Sequence, residues 1–232
     1  MSNAESLGVI FDSDGVIVDS EPFSLAAFRQ AMQEQGVFLN DEHIMANCGL
    51  TDADIVRYVS DKFGIEADLD LFHSRKQELY AEMVVSGNLK ACEGAAELLS
   101  NLERGHIPFA LASSGSMSKI RLNLTLVGLW GRFPIIISGE NMERSKPHPD
   151  IFLEAAKRLN LKPERCVVIE DSLNGIEAAH RAGMACVAVI GTFPKEKLSR
   201  ADFVIDSLSR LTVEKLNSFV LEKNFSKGGN SC

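Results

Sequence analysis

The stretch "GVIFDSDGVIVDSE", from Gly8 to Glu21, decides the fold class of this chain. Four apolar or small residues lead into Asp12 and Asp14, which are one residue apart and are followed by Gly15. Two carboxylates at the end of a buried strand repel each other, and burying them is costly unless a cation or hydrogen bonds neutralise them. The stretch therefore indicates a buried strand whose end carries a site for a cation or a network of polar groups.

The composition is that of an ordinary globular protein, with 232 residues, of which 45% are hydrophobic and 24% charged. The formal net charge of -8 argues against nucleic acid or an anionic membrane as a partner. No apolar run approaches the roughly 20 residues that span a bilayer, and no secretory segment is visible. We therefore expect an enzyme that acts on a small metabolite, with a monomer as the default state.

The cysteines are odd in number, scattered and without a C-x-x-C pair, which argues against disulfides and against a zinc site. Two of them lie in apolar runs and are expected to be buried thiols in a reducing compartment. This usage predicts a cytoplasmic protein. The five positions are Cys48, Cys92, Cys166, Cys186 and Cys232.

Short apolar runs rich in Val and Ile recur along the chain and are near-continuous rather than alternating, as in strands that are buried on both faces of a parallel sheet. Helical patterns lie between several of them, at 94–105, 149–160 and 172–183. The alternation predicts an α/β fold with a doubly wound, Rossmann-like parallel sheet. The six predicted strands are 7–11, 108–114, 133–138, 166–171, 185–190 and 202–206.

One region interrupts this alternation, because residues 23–85 show only helical periodicity. We expect an all-helical cap domain there, inserted into an α/β catalytic core of residues 1–22 and 86–225. The polar, glycine-rich end of the chain, 226–232, is expected to be a disordered tail.

Polar groups follow four of the predicted strands, and the carboxyl ends of parallel strands are where α/β sheets bind ligands. Each group alone has an ordinary explanation as a turn, a helix cap or a solvated side chain. Their convergence at one edge is harder to explain in that way, because carboxylates suit Mg²⁺, while a hydroxyl and an ammonium suit a phosphate. The groups are Asp12-Ser-Asp14-Gly15, Ser113-Ser114-Gly115, Lys146-Pro147 and Glu170-Asp171-Ser172.

These four segments, "FDSDGV", "LASSG", "SKPHPD" and "VIEDSLNGIEAA", resemble the four motifs of the haloacid dehalogenase superfamily. The helical insertion after the first motif resembles the C1 cap of its small phosphatases and β-phosphoglucomutase-like proteins. The resemblance covers essentially the whole chain after residue 5. It implies a Mg²⁺-dependent phosphatase that hydrolyses a small phosphorylated metabolite, such as a sugar or sugar acid phosphate, through an aspartyl-phosphate.

The resemblance also implies roles for the acidic pair. Asp12 would be the nucleophile and a metal ligand, and Asp14 would be the general acid and base, with its backbone carbonyl on the metal. Lys146 would offset the negative charge of the phosphoryl group. Dehalogenases lack the second carboxylate, so Asp14 disfavours dehalogenation.

Further roles follow from the other motifs. Ser113 would hold a phosphoryl oxygen through its hydroxyl, and the Ser114 amide would assist it. Asp171 would bind the metal directly, and Glu170 directly or through water.

The cap offers weaker signals for substrate binding, at Glu21, at Lys76 and in "CGLTD", residues 48–52. Glu21 is also a plausible helix-capping acid, and Lys76 a solvated lysine. The phosphoglucomutase branch has a histidine where this chain has Ser24 and an arginine where it has Asp52. These differences favour a phosphatase over a sugar phosphomutase, which stays the alternative.

Two non-catalytic alternatives are weaker. A phospho-receiver module combines similar residues, but its phosphoacceptor does not lie on the first strand, and it has no helical insertion after that strand. A scaffold that only binds a phosphorylated ligand is disfavoured because no motif residue is missing here.

Overall fold

The computed structural model describes residues 7–46 and 52–228. The chain forms two compact units. Met1–Asp19 and Lys90–Cys232 make up the first, which we call the α/β unit, and Ser20–Leu89 make up the second, the helical unit.

The α/β unit is built on one six-stranded sheet in which all pairs of neighbouring strands are parallel. The strand order is β3-β2-β1-β4-β5-β6, so the first strand lies in the middle. This arrangement confirms the doubly wound, Rossmann-like fold predicted from the apolar runs. The strands are β1 Gly8–Phe11, β2 Phe109–Ser113, β3 Ile136–Ser138, β4 Cys166–Glu170, β5 Ala185–Val189 and β6 Phe203–Ile205.

Crossover connections join these parallel strands, and they contain α-helices except between β5 and β6, where a short 3-10 helix, Lys197–Arg200, stands. The helices of this unit are α5 Ala95–Arg104, α6 Met117–Leu126, α7 Asp150–Arg158, α8 Leu173–Arg181 and α9 Val213–Gly228. Helix α7 packs against β1, β2 and β3, whereas α8 and α9 pack against β4 and β5. Helix α9 extends to Gly228, and residues 229–232 of the predicted tail at 226–232 lie outside the described residues.

The sheet is buried on both faces, because every residue of β1, β2, β4 and β5 is shielded from solvent. Three aromatic rings, Phe11, Phe109 and Phe133, pack edge to face with centroids 5.8–6.4 Å apart. Such burial of aromatic rings contributes strongly to core stability. Strand β3 is shorter than predicted: Phe133 belongs to this cluster, and Pro134 lacks the N–H that a strand needs.

The helical unit holds four helices and, within its described residues, no strand. They are α1 Glu21–Glu34, α2 Asp41–Ala46, α3 Asp52–Phe63 and α4 Leu69–Ser86. Helices α1 and α4 form its largest helix pair, with Phe28 and Phe72 in edge-to-face contact at 5.8 Å between ring centroids. An ion pair of 2.7 Å between Arg75 and Glu34 links the same two helices on the surface.

The two segments of the α/β unit that lead to and from the helical unit run side by side. Val18 and Ala91 form an antiparallel bridge. The Asp19 amide donates to the Lys90 carbonyl at 3.0 Å. The chain therefore leaves and re-enters the α/β unit at neighbouring points.

Within the ranges 7–46 and 52–228, none of the helices combines the length and the apolar character that a membrane crossing requires.

Candidate active site

The register of the sheet places the polar ends of three strands next to each other. Phe11, the last residue of β1, pairs with Leu111 of β2 on one side and with Ile169 of β4 on the other. The next residue, Asp12, therefore lies at the level of Glu170. Strands β2 and β4 continue the chain in opposite directions from β1, and such a switch point is where open α/β sheets bind ligands.

A buried lysine joins two of these carboxylates. The Lys146 Nζ atom lies 2.5 Å from Asp12 Oδ1 and 2.7 Å from Glu170 Oε1. The three side chains are at most 10% exposed. An ammonium at this depth is tolerated because it donates to a carboxyl oxygen of each of these two acids.

The charges of this cluster do not balance without a further cation. Burial raises the pKa of Asp12 to about 7, assisted by repulsion from Glu170 and Asp14, although Lys146 lowers it. Burial alone would lower the pKa of Lys146, but the attraction of Asp12 and Glu170 outweighs it and raises that pKa. The carboxylates thus outnumber the ammonium, and added positive charge would stabilise the ionised form of Asp12.

Three carboxylates are arranged so that one ion could contact all of them. Asp12, Glu170 and Asp171 are buried, and each has an oxygen within 4.8 Å of the oxygens of the other two. Carboxylate oxygens are ligands that Mg²⁺ prefers. The donor set and its excess negative charge therefore fit a divalent cation of this kind.

The acidic pair after β4 is oriented by its own backbone. The amides of Asp171 and Ser172 donate to Glu170 Oε2 at 2.7 and 2.6 Å, which leaves Oε1 for Lys146. The hydroxyl of Thr192 donates to Asp171 Oδ2. Helix α8 begins here, with the Ser172 hydroxyl accepting from the Gly175 amide at 3.0 Å, an ordinary N-cap.

Asp14 lies in a tight turn beyond the strand. Gly15 has a φ of +76°, and a Cβ there would overlap the carboxylate of Asp171, so both conformation and space call for glycine. The Asp14 carboxylate is 25% exposed and contacts two side chains of α6. Lys119 Nζ lies 3.1 Å from Oδ2, and Asn123 Nδ2 donates to Oδ1 at 3.4 Å.

The end of β2 supplies hydroxyl groups at the same edge of the sheet. Ser113 is buried and pairs with Ser138 of β3, while Ser114 is exposed. The Ser113 hydroxyl accepts from the Gly115 amide at 3.1 Å. The Gly115 carbonyl in turn accepts from the Ser138 hydroxyl at 2.7 Å, which holds the loop in place.

The family model described as "Haloacid dehalogenase-like hydrolase" matches residues 9–189, which include all the site residues described above except Thr192. The chain belongs to this family. The resemblance predicted from the four motifs is thereby confirmed.

Proteins similar to this haloacid dehalogenase-like hydrolase include hexitol phosphatase A of Escherichia coli (strain K12), which is 32% identical over 210 residues, 90% of this chain and 94% of that protein. A crystal structure of β-phosphoglucomutase from Clostridium difficile superposes with a TM-score of 0.81 at 25% identity, covering 96% of this chain and 99% of that one. A bifunctional riboflavin kinase/FMN phosphatase of Arabidopsis thaliana is 30% identical over 210 residues, 89% of this chain, but the chain spans only 55% of that protein.

The residues predicted for the cap lie in the helical unit of this hydrolase. Glu21 is the first residue of α1, next to Pro22, and suits a helix N-terminus. The Lys76 ammonium lies 5.6 Å from the centre of the Phe72 ring, an ordinary cation–π contact. Of the predicted loop "CGLTD", residues 48–51 lie outside the described residues. Substrate binding by these cap groups stays a prediction.

Four residues around the site of this hydrolase were not singled out from the sequence: Lys119, Asn123, Thr192 and Gly175. Lys119 and Asn123 lie inside helix α6, and Thr192 lies beyond the end of β5. None of the three has a charged residue next to it in sequence. Gly175 carries a signal, since a glycine in the first turn of a helix is unfavourable unless something needs the space. A Cβ at Gly175 would overlap the Glu170 carboxylate.

Proposed function

We propose that this protein is a phosphatase that hydrolyses a small phosphate monoester through a phosphoryl group carried on Asp12. The observation that supports this most directly is the buried contact of Lys146 with both Asp12 and Glu170, beside Asp171. A carboxylate nucleophile must approach an already anionic phosphate, so positive charge at that point is what the reaction needs.

In the first step, an oxygen of the Asp12 carboxylate attacks phosphorus, and the bond from phosphorus to the ester oxygen breaks. The products are an aspartyl-phosphate on Asp12 and the alcohol, which takes a proton from the Asp14 carboxyl group. Lys146 remains close to the phosphoryl group and offsets its negative charge. In the second step, Asp14 takes a proton from water, whose oxygen attacks phosphorus and releases inorganic phosphate and free Asp12.

Asp12, Glu170 and Asp171, with the backbone carbonyl of Asp14, would hold a Mg²⁺ ion. When bound, the ion would supply positive charge against a phosphoryl oxygen and lower the repulsion between nucleophile and substrate. The raised pKa of Asp12 supports this assignment, because the site needs added positive charge to keep the nucleophile ionised.

Ser113 and Ser114 would bind the phosphoryl group from the β2 side. Ser113 is buried at the strand next to β1, and its hydroxyl is already oriented by the loop. The backbone amide of Ser114 would add a second donor there.

The substrate class we propose is a phosphorylated sugar or sugar acid. The name of the relative hexitol phosphatase A supports a sugar-like ester. We further propose that residues 23–85 act as a cap that covers the site and selects the substrate, with Glu21 and Lys76 as candidate contacts.

A sugar phosphomutase of the β-phosphoglucomutase type is the second candidate, supported by the likeness to the Clostridium difficile enzyme. Ser24 and Asp52 argue against it. They stand where that branch has a histidine and a phosphate-binding arginine, and an acid at the second position would repel a second phosphate.

A screen of phosphate esters with Mg²⁺, measured by released phosphate, tests the proposal. Asp12→Asn should lower the rate of phosphate release by at least about 10²-fold, because an amide cannot act as the nucleophile. Asp206→Asn, which changes an acid that is 62% exposed, is the matched control and should be fully active. Turnover by Asp12→Asn comparable to the parent would contradict the assignment. Isomerisation of a hexose 1-phosphate with little free phosphate would favour the mutase.

A further inference from the structure

We propose that Lys119 and Asn123 of α6 position the Asp14 carboxyl group for proton transfer to and from the ester oxygen. This inference rests on the proposed function and adds two residues to it. They are positioning residues, since they act on the substrate through Asp14.

The two side chains hold both oxygens of one carboxylate. Lys119 contacts Oδ2 at 3.1 Å and Asn123 donates to Oδ1 at 3.4 Å. The residues are four apart on one helix and therefore project from the same face. Asp14 is more than a hundred positions away in sequence, so the contact is made by the fold and is not a local turn interaction.

The position of Lys119 is unfavourable for the helix itself. Lys119 is the third residue of α6, whose first turn contains no acidic residue. The Ser116 hydroxyl caps the helix by accepting from the Lys119 amide at 3.3 Å. A glutamate at this third position would complete a capping box, whereas a cation there opposes the helix dipole. Lys119 is thus explained by its partner Asp14, not by helix stability.

Asn123 is a polar residue on an otherwise apolar face. It is 1% exposed and lies between Ile120 and Leu124, which are also buried. A buried amide without partners destabilises the folded state, so a leucine would be the simpler choice for packing. The hydrogen bond to Asp14 gives a reason for an amide at this position.

Fixing both oxygens matters because Asp14 must deliver a proton to an oxygen that leaves the phosphorus. A carboxyl group that rotates freely would spend little time in the productive orientation. Helix α6 begins shortly after Ser113, the last residue of β2, and the next residue Ser114. The same segment would therefore set the phosphoryl group and the proton donor relative to each other.

The test compares two leaving groups. The value of kcat/KM reports the formation of the aspartyl-phosphate, and only an alkyl ester needs a proton from Asp14 in that step. Cleavage of p-nitrophenyl phosphate does not need this proton, because p-nitrophenolate is stable as an anion. Lys119→Met should lower kcat/KM for the parent's best alkyl phosphate by about tenfold, a fraction of the 10²–10⁴ that general acid catalysis contributes. The value for p-nitrophenyl phosphate should change by no more than about twofold.

Two further variants complete the design. Lys119→Arg keeps the cation and should restore most of the activity on the alkyl ester. Lys157→Met removes a lysine that is 81% exposed on α7 and should change neither substrate. Thermal unfolding of each variant checks that the fold is retained. If Lys119→Met unfolds, Asn123→Leu, which keeps the packing volume, should show the same preference for the activated ester.

The outcomes separate the two proposals. If the parent hydrolyses neither ester, the proposed function fails. If the parent hydrolyses both, and Lys119→Met or Asn123→Leu loses the same fraction on both or nothing on either, the positioning role is overturned.

Discussion

Among single residues, Glu170 shows how a carboxylate is held at a fixed orientation in the interior. Two backbone amides occupy Oε2, and Lys146 occupies Oε1. Its side chain is 1% exposed and fills the space that Gly175 leaves free on α8. Glu170 can therefore occupy this position only because residue 175 has no side chain.

Gly175→Ala should displace Glu170, because the new methyl group would overlap its carboxylate. Displacing such a supporting contact weakens metal affinity by about 10–100-fold, so the Mg²⁺ concentration for half-maximal phosphate release should rise by a similar factor. A Mg²⁺ titration of activity measures this. Gly191→Ala is the matched control, since a Cβ at Gly191 meets open space. An unchanged Mg²⁺ requirement in Gly175→Ala would contradict the prediction.

Part of the candidate site could be predicted from sequence patterns, and part of it could not. Asp12, Asp14, Lys146 and the acidic pair could be predicted because each follows an apolar run, and the carboxyl ends of parallel strands meet. Lys119 could not be predicted as a site residue, because S-x-x-K at the start of a helix looks like an ordinary N-cap followed by a surface lysine. Its contact with Asp14 depends on how α6 packs, which no local pattern contains.

At the scale of secondary structure elements, the carboxylate of Asp202, just before β6, contacts α8, β5 and α9. His180 of α8 lies 3.2 Å from its Oδ2, the Cys186 amide of β5 donates to the same oxygen at 2.9 Å, and Lys223 of α9 contacts Oδ1 at 2.5 Å. Burial acts to raise the pKa of Asp202, but the hydrogen bonds from these groups outweigh it and lower the pKa below the ordinary 3.8. The carboxylate therefore stabilises the fold in its ionised form.

Asp202→Asn should lower the free energy of unfolding by about 2 kcal/mol at pH 7, because the ion pair with Lys223 and hydrogen bonds to a partly buried carboxylate are lost or weakened. Since the native pKa is lowered, this stabilisation is full above pH 3.8 and declines as the pH falls through the native pKa. Urea unfolding at pH 7 and at a series of pH values extending well below 3.8 should show the difference between the parent and the variant decreasing in acid. Asp206→Asn, at an exposed ion pair, is the control. A difference that grows in acid would contradict this account.

The elements themselves were largely predictable, for a physical reason. Strands buried on both faces must be apolar throughout, so β1, β2, β4 and β5 each appear as a continuous apolar run. The edge strands β3 and β6 are only partly buried, but they are apolar enough to be found in the same way. The ends of the strands were less predictable. Strand β3 begins only at Ile136, because Phe133 packs in the aromatic cluster and Pro134 has no N–H to donate to the sheet. The Asp202 junction joins segments that are distant in sequence and left no recognisable pattern.

At the scale of the whole molecule, acidic residues exceed basic ones by eight, and part of this excess is buried at the end of the central strand. A folded state that concentrates carboxylates is stabilised by any cation that binds it and not the unfolded chain.

Mg²⁺ should therefore raise the thermal midpoint, with a stabilisation of about 2.7 kcal/mol at a hundred times its dissociation constant. Calorimetry with Mg²⁺ and with a chelator measures the difference, and chelation should also stop phosphate release. Asp171→Asn should lose most of the shift, whereas Asp206→Asn should keep it. An equal shift in Asp171→Asn would place the ion elsewhere.

The bridge between Val18 and Ala91 has a consequence for how such a chain can change over generations. Because the detour through the helical unit starts and finishes at adjacent backbone positions, its length hardly affects the entropy of closing the loop. Insertions, deletions or wholesale replacement of that detour leave the β1 and β2 ladder untouched. If the helical unit selects the substrate, as we propose, specificity can change through this insertion alone while the residues at the strand ends stay the same.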